Sequence, residues 1–316
     1  MTTAPHANTY RRVPATSKPI SSEKVASVLA AEWELFTKNT KASEVESKRA
    51  FSSLPLGVTS SFQHWDPYPI SIASAEGAYM TDVDGRKLLD LSMGFGAMLA
   101  GHLNPVVVEE IQSSLTKGML FVTPSPTSTD AAERICKRFG IDQVRFTNSG
   151  TESTMYAVRV ARSATDKMGI LKIEGGYHGS YDPFVVSSKP PVDKIGNPEK
   201  PTPYIDSNLV PGDIYVVPFN NIPALEKMFK KNAKKLACFI VEPVLENLAI
   251  VLPDAGYLER VRELCDQYNV VLIFDEVKTG LTAGAHGAAM RLGVKPDLIT
   301  LAKSIGGGLP LAAFGG

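Results

Sequence analysis

The 316-residue chain carries 33 basic and 33 acidic side chains, so its formal net charge is +0. This balance gives no electrostatic reason to expect nucleic acid or an anionic membrane as a partner. No apolar run reaches the length of a membrane-spanning helix. From the length of the chain we expect roughly two domains with a sizeable core.

The N-terminal 22 residues contain three basic residues and no acidic one. Such a segment could address a protein to an organelle, but it lacks a clear amphipathic pattern, and we predict a disordered tail over residues 1–22. The three cysteines, Cys136, Cys238 and Cys265, lie far apart and are odd in number. They favour buried thiols in a reducing compartment, and no spacing suggests a zinc site. We predict a cytoplasmic protein without a metal, with organelle targeting left open.

Residues 23–103 are predicted to form an N-terminal segment and part of a small domain. Helical spacing of apolar residues runs from Ser22 to about Ser52. Residues 53–70 contain several prolines and indicate a loop. Two strand patterns then flank Asp84 and Gly85, a dipeptide that suits the type I′ turn of a hairpin.

Residues 104–316 are predicted to form a large domain. Asn104 caps a helix that we expect to end at Gly118. Further helices are predicted at Ala131–Phe139, from Thr151 onward and at Tyr257–Tyr268, and strands at Val144–Phe146, Ile170–Ile173, Ile214–Val217, Ala237–Val241 and Val270–Phe274. This alternation is typical of an α/β fold with a mostly parallel sheet covered by helices on both sides. Residues 188–213 hold six prolines and two glycines, and so long a connection is usually disordered or functional.

Ligands of open α/β sheets bind beyond the carboxyl ends of the strands, and three candidate groups follow predicted strands. In the first, Ser149, Gly150 and Thr151 stand between a strand and a helix. Backbone N–H groups at a helix start form a site suited to phosphate. The alternative is a plain serine N-cap in which Glu152 completes a capping box with Ser149.

The second and third groups offer a carboxylate and two rings. Asp275 comes directly after an apolar strand, where a carboxylate can hold a proton on a ring nitrogen or bind a metal or a ribose; the alternative is a helix N-cap. Tyr177 and His178 stand between glycines, which suits stacking on a planar ligand, although a turn with a packed tyrosine fits equally.

Lys303 lies between the apolar run Ile299–Ala302 and a glycine cluster. An amine in such surroundings loses hydration, its pKa falls, and it can attack a carbonyl to form a Schiff base. The alternative is a surface lysine at the end of an element. Together, a phosphate site, a strand-end carboxylate, an aromatic face and an amine nucleophile meet the needs of pyridoxal phosphate.

In order and spacing, five motifs of this chain resemble those of the class-III pyridoxal-phosphate-dependent aminotransferases of fold type I. The motifs are Ser149-Gly150-Thr151-Glu152, Tyr177-His178-Gly179, Val241-Glu242-Pro243, Phe274-Asp275-Glu276-Val277, and Leu301-Ala302-Lys303 through Gly308-Leu309-Pro310. The resemblance covers about residues 55–316. Within the family, the chain looks most like the glutamate-1-semialdehyde 2,1-aminomutases and related aminotransferases.

The resemblance implies pyridoxal 5′-phosphate as cofactor and a role for each matching residue. Lys303 would form the Schiff base and shuttle a proton, Asp275 would pair with the pyridinium nitrogen, and Tyr177 and Val277 would cover the two faces of the ring. The implied catalytic residues are Lys303, Asp275 and Tyr177. The implied cofactor-binding residues are Ser149, Gly150, Thr151, Tyr177, His178, Glu242, Asn247, Asp275, Val277 and Lys303.

In these roles Gly150 and Thr151 donate to the phosphate, with Ser149 beside them. Asn247 matches a position that reaches the ring hydroxyl, and Glu242 lies near the substrate side. The implied partners are a small-molecule amino donor, a keto or aldehyde acceptor and a second copy of the chain, because the family builds its site between subunits.

The chain also departs from the family pattern. The loop Gly57–Trp65 has Gln63 where the aminomutase has an arginine that holds the substrate carboxylate, and an amide is a poor replacement for a charged bidentate clamp. Lys278 stands where an apolar or amide residue is usual, and Leu281 and Thr282 replace a Phe-Arg pair. The family continues beyond the lysine segment with further strands of the large domain and a C-terminal small domain, which this sequence is expected to lack.

The expected function is amino transfer between an amine or amino acid and a keto acid or aldehyde. The alternatives are the intramolecular transfer of a glutamate-1-semialdehyde 2,1-aminomutase, a racemase on the same cofactor, and a truncated or non-catalytic homologue that binds the cofactor.

Overall fold

The computed structural model describes residues 21–205 and 212–316. Residues 1–20 of the predicted tail and residues 206–211 of the proline-rich connection lie outside the described residues. The chain divides into two compact units, one of residues up to Ala75 with Tyr79–Leu89, and one of Glu76–Ala78 with Asp90–Gly316. The predicted domain boundary after residue 103 stays a prediction. No helix of the described ranges is long and apolar enough to cross a membrane.

In the first unit, the predicted helical stretch is two helices, α1 (Ser22–Asn39) and α2 (Lys41–Ala50). The break falls at Thr40, which is fully buried. Its hydroxyl group contacts the Phe36 carbonyl oxygen at 2.6 Å and the Tyr68 hydroxyl at 3.0 Å. Two short 3₁₀ turns, Pro55–Gly57 and Ser61–Gln63, lie in the predicted loop.

The hairpin forms, but its turn differs from the predicted one. The three-stranded sheet has the order β1 (Ile72–Glu76), β2 (Tyr79–Asp82), β3 (Lys87–Leu89). The Asp82 N–H donates to the Arg86 carbonyl at 3.1 Å, which leaves three residues in the loop. Only Gly85 among them has a positive φ, of 82°. A type I′ turn needs two such residues, so that prediction is wrong. The Asp84 carboxylate instead accepts the Ser43 N–H at 3.0 Å.

The second unit is built on a seven-stranded sheet. Its strands are β4 (Val144–Thr147), β5 (Gly169–Ile173), β6 (Ile214–Val217), β7 (Leu236–Val241), β8 (Val271–Asp275), β9 (Leu298–Leu301) and β10 (Ala312–Gly315). The strand order is β4-β10-β9-β8-β7-β5-β6, and β10 alone runs antiparallel to its neighbours. The predicted mixed, mostly parallel sheet is therefore confirmed.

Helices surround this sheet. They are α3 (Met93–Gly96), α4 (Pro105–Leu115), α5 (Pro126–Phe139), α6 (Gly150–Thr165), α7 (Asp182–Val185), α8 (Ile222–Asn232), α9 (Tyr257–Tyr268), α10 (Thr279–Thr282) and α11 (Gly287–Leu292). The bounds of α9 are as predicted, whereas α4 ends three residues before Gly118 and α5 begins five residues earlier than expected.

Both faces of the sheet are buried, as predicted. Apolar side chains of α8 and α9 pack on one face with Leu272 and Phe274 of β8. Those of α6 pack on the other face with Ile273. Consecutive residues of a strand point to opposite faces, and this alternation continues into the two carboxylates at the end of β8.

Candidate active site

A cavity of about 220 Å³ lies beyond the carboxyl ends of the strands. It is lined by residues that follow β4, β5, β7, β8 and β9, and we call it the strand-end cavity. All ten residues predicted for the site line it. Residues from five separate segments thus converge, as expected for the carboxyl edge of a parallel sheet. No group of three or more His, Cys, Asp or Glu residues that could hold a metal ion occurs in residues 21–205 and 212–316.

The N-terminus of α6 forms one end of the cavity. The Ser149 hydroxyl accepts the Glu152 N–H at 3.2 Å, so the predicted serine cap is present. The predicted capping box is not formed. It would need the Glu152 carboxylate to accept the N–H of Ser149, but this carboxylate accepts the N–H of the preceding residue, Asn148, at 2.9 Å. The cap leaves the N–H groups of Gly150 and Thr151 with no hydrogen bond to another described residue. The serine cap and an anion site are therefore compatible.

The side chain of Thr151 adds a further donor. Its Oγ1 accepts the Ser180 N–H at 3.1 Å, which leaves the hydroxyl proton free to donate to a ligand. Gly179 makes this possible, because a Cβ atom there would lie 2.5 Å from Thr151 Oγ1, and its φ is 103°. Two N–H groups and one hydroxyl thus converge on a place suited to a phosphate.

Asp275 is buried at the end of β8 and is held from both sides. Its Oδ2 lies 2.7 Å from His178 Nδ1, and its Oδ1 accepts the Val277 N–H at 3.1 Å and the Thr300 hydroxyl at 3.3 Å. No helix begins at this point, since α10 starts at Thr279. The helix N-cap considered for Asp275 is therefore not formed, and its carboxylate is fixed at the wall of the strand-end cavity.

His178 takes a different place from the stacking one considered for it. Its side chain is fully buried, and its ring meets Phe184 edge-on with centroids 5.8 Å apart. With the proton on Nδ1, the ring donates to Asp275, and the buried Nε2 is left as an acceptor without a partner. The ring therefore holds the carboxylate and offers no face to a ligand.

A chain of three polar side chains forms another wall. The Asn247 amide nitrogen lies 3.1 Å from both carboxylate oxygens of Glu242, and its oxygen accepts the Lys278 ammonium at 2.9 Å. The Tyr177 N–H also points at Glu242, at 3.4 Å. Burial raises the pKa of Glu242. Because a carboxylate only accepts hydrogen bonds and an ammonium only donates them, the Asn247 amide must turn its nitrogen to Glu242 and its oxygen to Lys278.

Lys303 follows β9 and has a left-handed backbone, with φ of 50°. Burial lowers the pKa of its ammonium group; the nearby charge of Lys278 lowers it further, and that of Asp275 opposes the shift. No hydrogen bond or ion pair joins the ammonium to another residue in the described part of the chain. Two of the glycines after it, Gly307 and Gly308, have positive φ angles of 55° and 99°, a backbone conformation that favours glycine. The cavity therefore holds an unengaged amine with a lowered pKa.

A family model described as "Aminotransferase class-III" matches residues 61–316. The chain belongs to the class-III aminotransferase family. A glutamate-1-semialdehyde 2,1-aminomutase from Methanocorpusculum labreanum is 42% identical over 272 residues, which cover 84% of this chain and 64% of that protein. The chain thus spans less than two thirds of the length of this relative.

Solved structures give the same result. An omega-transaminase from Sphaerobacter thermophilus aligns with a TM-score of 0.81 at 35% identity, over 87% of this chain and 64% of that one. A transaminase with pyridoxal phosphate bound aligns with a TM-score of 0.81 at 33% identity, over 88% and 64%. The family and fold class predicted from the five motifs are confirmed, and the family is one of pyridoxal-phosphate-dependent enzymes.

Two residues of the site were not among those predicted for it. Thr300 reaches Asp275 because β9 lies beside β8, with these two residues in register. That pairing leaves no signal in a single sequence. Lys278 also lines the strand-end cavity. Its signal was present, because it stands out as a charged residue three positions after Asp275, but only the structure shows that its side chain points inward.

Proposed function

We propose that this protein is a pyridoxal-phosphate-dependent aminotransferase whose cofactor is held on Lys303. One observation carries the proposal: the strand-end cavity joins an amine, whose pKa is lowered by burial, with the buried carboxylate of Asp275. Lowering the pKa of an amine favours its neutral form, which is the form that can attack an aldehyde. A buried carboxylate can keep a ring nitrogen protonated.

The residues of the cavity fit the cofactor at each of its groups. The N–H groups of Gly150 and Thr151 suit its phosphate. Asp275 suits the ring nitrogen, and Val277 and Tyr177, which both line the cavity, would cover the two faces of the ring. Gly150 also brings the parts together, because a Cβ atom there would lie 3.2 Å from both methyl groups of Val277. A larger residue at this position would crowd Val277, so glycine favours the close approach of the α6 start to the wall that would support the ring.

The bound cofactor supplies an electron sink for bonds at the substrate carbon. The remaining work belongs to the protein. Asp275, oriented by His178 and Thr300, holds the proton on the ring nitrogen. Lys303 would be the group placed to move a proton at the substrate carbon, and the lowering of its pKa by burial favours the neutral form that can accept one. Glu242 and Asn247 fix the wall near Tyr177.

A second candidate is the intramolecular amino transfer of an aminomutase, because the Methanocorpusculum relative carries that name. Against it stands Gln63, at the place expected for a carboxylate-binding arginine. Its amide oxygen accepts the Thr59 hydroxyl at 2.7 Å and the Ser60 N–H at 3.3 Å, so it is engaged within its own loop. We expect glutamate-1-semialdehyde to be a poor substrate, and a panel of amines, β-amino acids and α-amino acids assayed beside it decides between the two reactions.

The assembly and location of the protein are also proposals. A homodimer with a site between subunits follows from the family resemblance, and a cytoplasmic location follows from the three cysteines, which favour a reducing compartment. Sedimentation of the cofactor-loaded protein tests the dimer.

The experiment for the proposed function is borohydride reduction followed by peptide mass spectrometry. The pyridoxyl group should be found on Lys303. A label on Lys278 or on another lysine would contradict the assignment, and the absence of any label would favour a homologue that has lost the cofactor.

A further inference from the structure

The strand-end cavity contains a second lysine that the proposed reaction does not use. Among the residues that line it, Lys278 and Lys303 are the two with a lysine or arginine side chain. Lys278 is half-buried and stands at the start of α10, three residues after Asp275. When the cofactor occupies the Lys303 nitrogen, Lys278 is the remaining lysine ammonium of the cavity.

The bonding of Lys278 is incomplete. Its Nζ donates to the Asn247 amide oxygen at 2.9 Å, and no carboxylate of the described residues lies within 4.0 Å of it. An ammonium group has three N–H donors, so two are left for other partners. The charge of Glu246 lies near enough to interact with that of Lys278 but forms no ion pair with it. The charge of this partly buried cation is therefore only partly compensated, which is costly. A ligand anion placed against it would reduce that cost.

The position of Lys278 is fixed in advance. Asn247 holds the ammonium by its oxygen and is itself anchored through its nitrogen, at 3.1 Å from both carboxylate oxygens of Glu242. The Glu242 carboxylate that anchors Asn247 is itself buried. A cation held in this way pays little ordering entropy when it binds a ligand.

We infer that Lys278 is a specificity-determining residue that binds the carboxylate of the substrate. The inference rests on the proposed function and narrows it: the protein takes amino acids in preference to amines that lack a carboxylate. The carboxylate accepts the two free N–H groups of Lys278, and the Asn247 bond stays in place.

The test compares two unreactive probes of the same shape, 3-phenylpropanoate and its neutral amide. Their binding to the cofactor-loaded protein is measured by calorimetry, which needs no turnover. Lys278→Gln removes the charge and keeps a donor for Asn247, and Lys278→Met removes both. Either variant should weaken the binding of 3-phenylpropanoate by about 10- to 100-fold, since a hydrogen bond to a charged group is lost. The amide should bind as it does to the wild type.

Two variants complete the design. Lys278→Arg keeps the charge and should retain most of the affinity for 3-phenylpropanoate. Lys167→Met is the matched control, because Lys167 is also half-buried, is bonded to neutral oxygens of Tyr268 and Asn269, and lies outside the cavity. It should leave both probes unchanged. In turnover assays, Lys278→Gln should raise KM for an amino acid far more than it lowers kcat.

Several outcomes overturn the inference. Equal affinity of wild type and Lys278→Gln for 3-phenylpropanoate, or equal weakening of both probes, would make Lys278 only a support for Asn247. If Lys278→Gln no longer retained the cofactor, the ammonium group of Lys278 would bind the cofactor and not the substrate. These results differ from failure of the proposed function, in which the wild type itself carries no pyridoxyl label on Lys303 after reduction.

Discussion

Two adjacent carboxylates at the end of β8 show how one strand serves two different purposes. Asp275 is on the side of the strand-end cavity, where His178 and Thr300 hold it. Glu276 is on the opposite side, where its oxygens accept the N–H groups of Ala288 at 2.6 Å and Ala289 at 2.9 Å. Both side chains are buried and hydrogen-bonded. Burial alone therefore does not identify a functional carboxylate. What distinguishes Asp275 is its place in the wall of the cavity that also holds the Lys303 amine.

A fully buried lysine and a half-buried one, Lys172 and Lys303, repeat this contrast. Burial lowers the pKa of Lys172 to about 7, against the charges of Glu242 and Glu174, and its ammonium donates to the Val186 carbonyl at 2.8 Å. Burial also lowers the pKa of Lys303, whose ammonium has no such bond. Lys172 lies within the sheet and does not line the cavity. A lowered pKa thus has a chemical use only where a ligand can reach the amine.

The largest expected effect is that of Lys303→Ala. Removing the amine proposed to hold the cofactor should abolish turnover, a loss of several orders of magnitude, while the protein stays folded. Steady-state rates and circular dichroism measure the two properties. Retention of more than a few per cent of the activity would show that another amine does the chemistry.

Asp275→Asn should come next. The shape of the side chain is kept, but the charge that holds the ring proton is lost, so kcat and kcat/KM should fall together by about 10²- to 10³-fold. Single-turnover rates of the cofactor-loaded protein measure this. Rates close to those of the wild type would show that Asp275 has only a structural role, as we expect for Glu276.

Glu276→Gln should lower the stability of the protein and leave its activity almost unchanged, the opposite of Asp275→Asn. An amide cannot accept both N–H groups at the start of α11 and the Thr279 hydroxyl, which Glu276 accepts at 3.0 Å. The free energy of unfolding should drop by about 1–3 kcal/mol, with kcat of the folded fraction little changed. Urea unfolding monitored by fluorescence gives the first value. A large fall in kcat with unchanged stability would contradict the division between the two sides of β8.

The smallest effect concerns Lys172 and depends on pH. Its pKa is about 7 in the folded protein and has its ordinary value of 10.5 when unfolded. The cost of burying the ammonium is fully present below pH 7, and it is relieved as pH rises because the folded state then binds fewer protons. The wild type should therefore gain about 1 kcal/mol over Lys172→Met between about pH 7 and about pH 8.

Unfolding curves of both proteins at the two pH values test this prediction. Lys230→Met, at an exposed position of α8, serves as control and should show no pH-dependent difference from the wild type. A constant difference between wild type and Lys172→Met would mean that Lys172 does not change its protonation state in this range.

Much of the fold could be read from local patterns. Strands β5 and β6 and helix α9 lie within one residue of their predicted positions, because each is a short run with a clear period and end signals. Strands β9 and β10 were not among the predicted strands. Ala312–Gly315 of β10 is rich in alanine and glycine and has low β propensity. It is a strand because β4 and β9 pair with it from both sides.

The sequence by itself determined which residues are proposed to carry the chemistry. Lys303, Asp275 and Gly150 follow strands or begin a helix, and these positions are set by local hydrophobic periodicity and by glycine. The tertiary structure alone decided which polar groups meet: Thr300 with Asp275 through strand pairing, and Lys278 with Asn247 through the arrangement of two loops. Contacts between residues distant in sequence depend on packing and strand order, and no single segment encodes them.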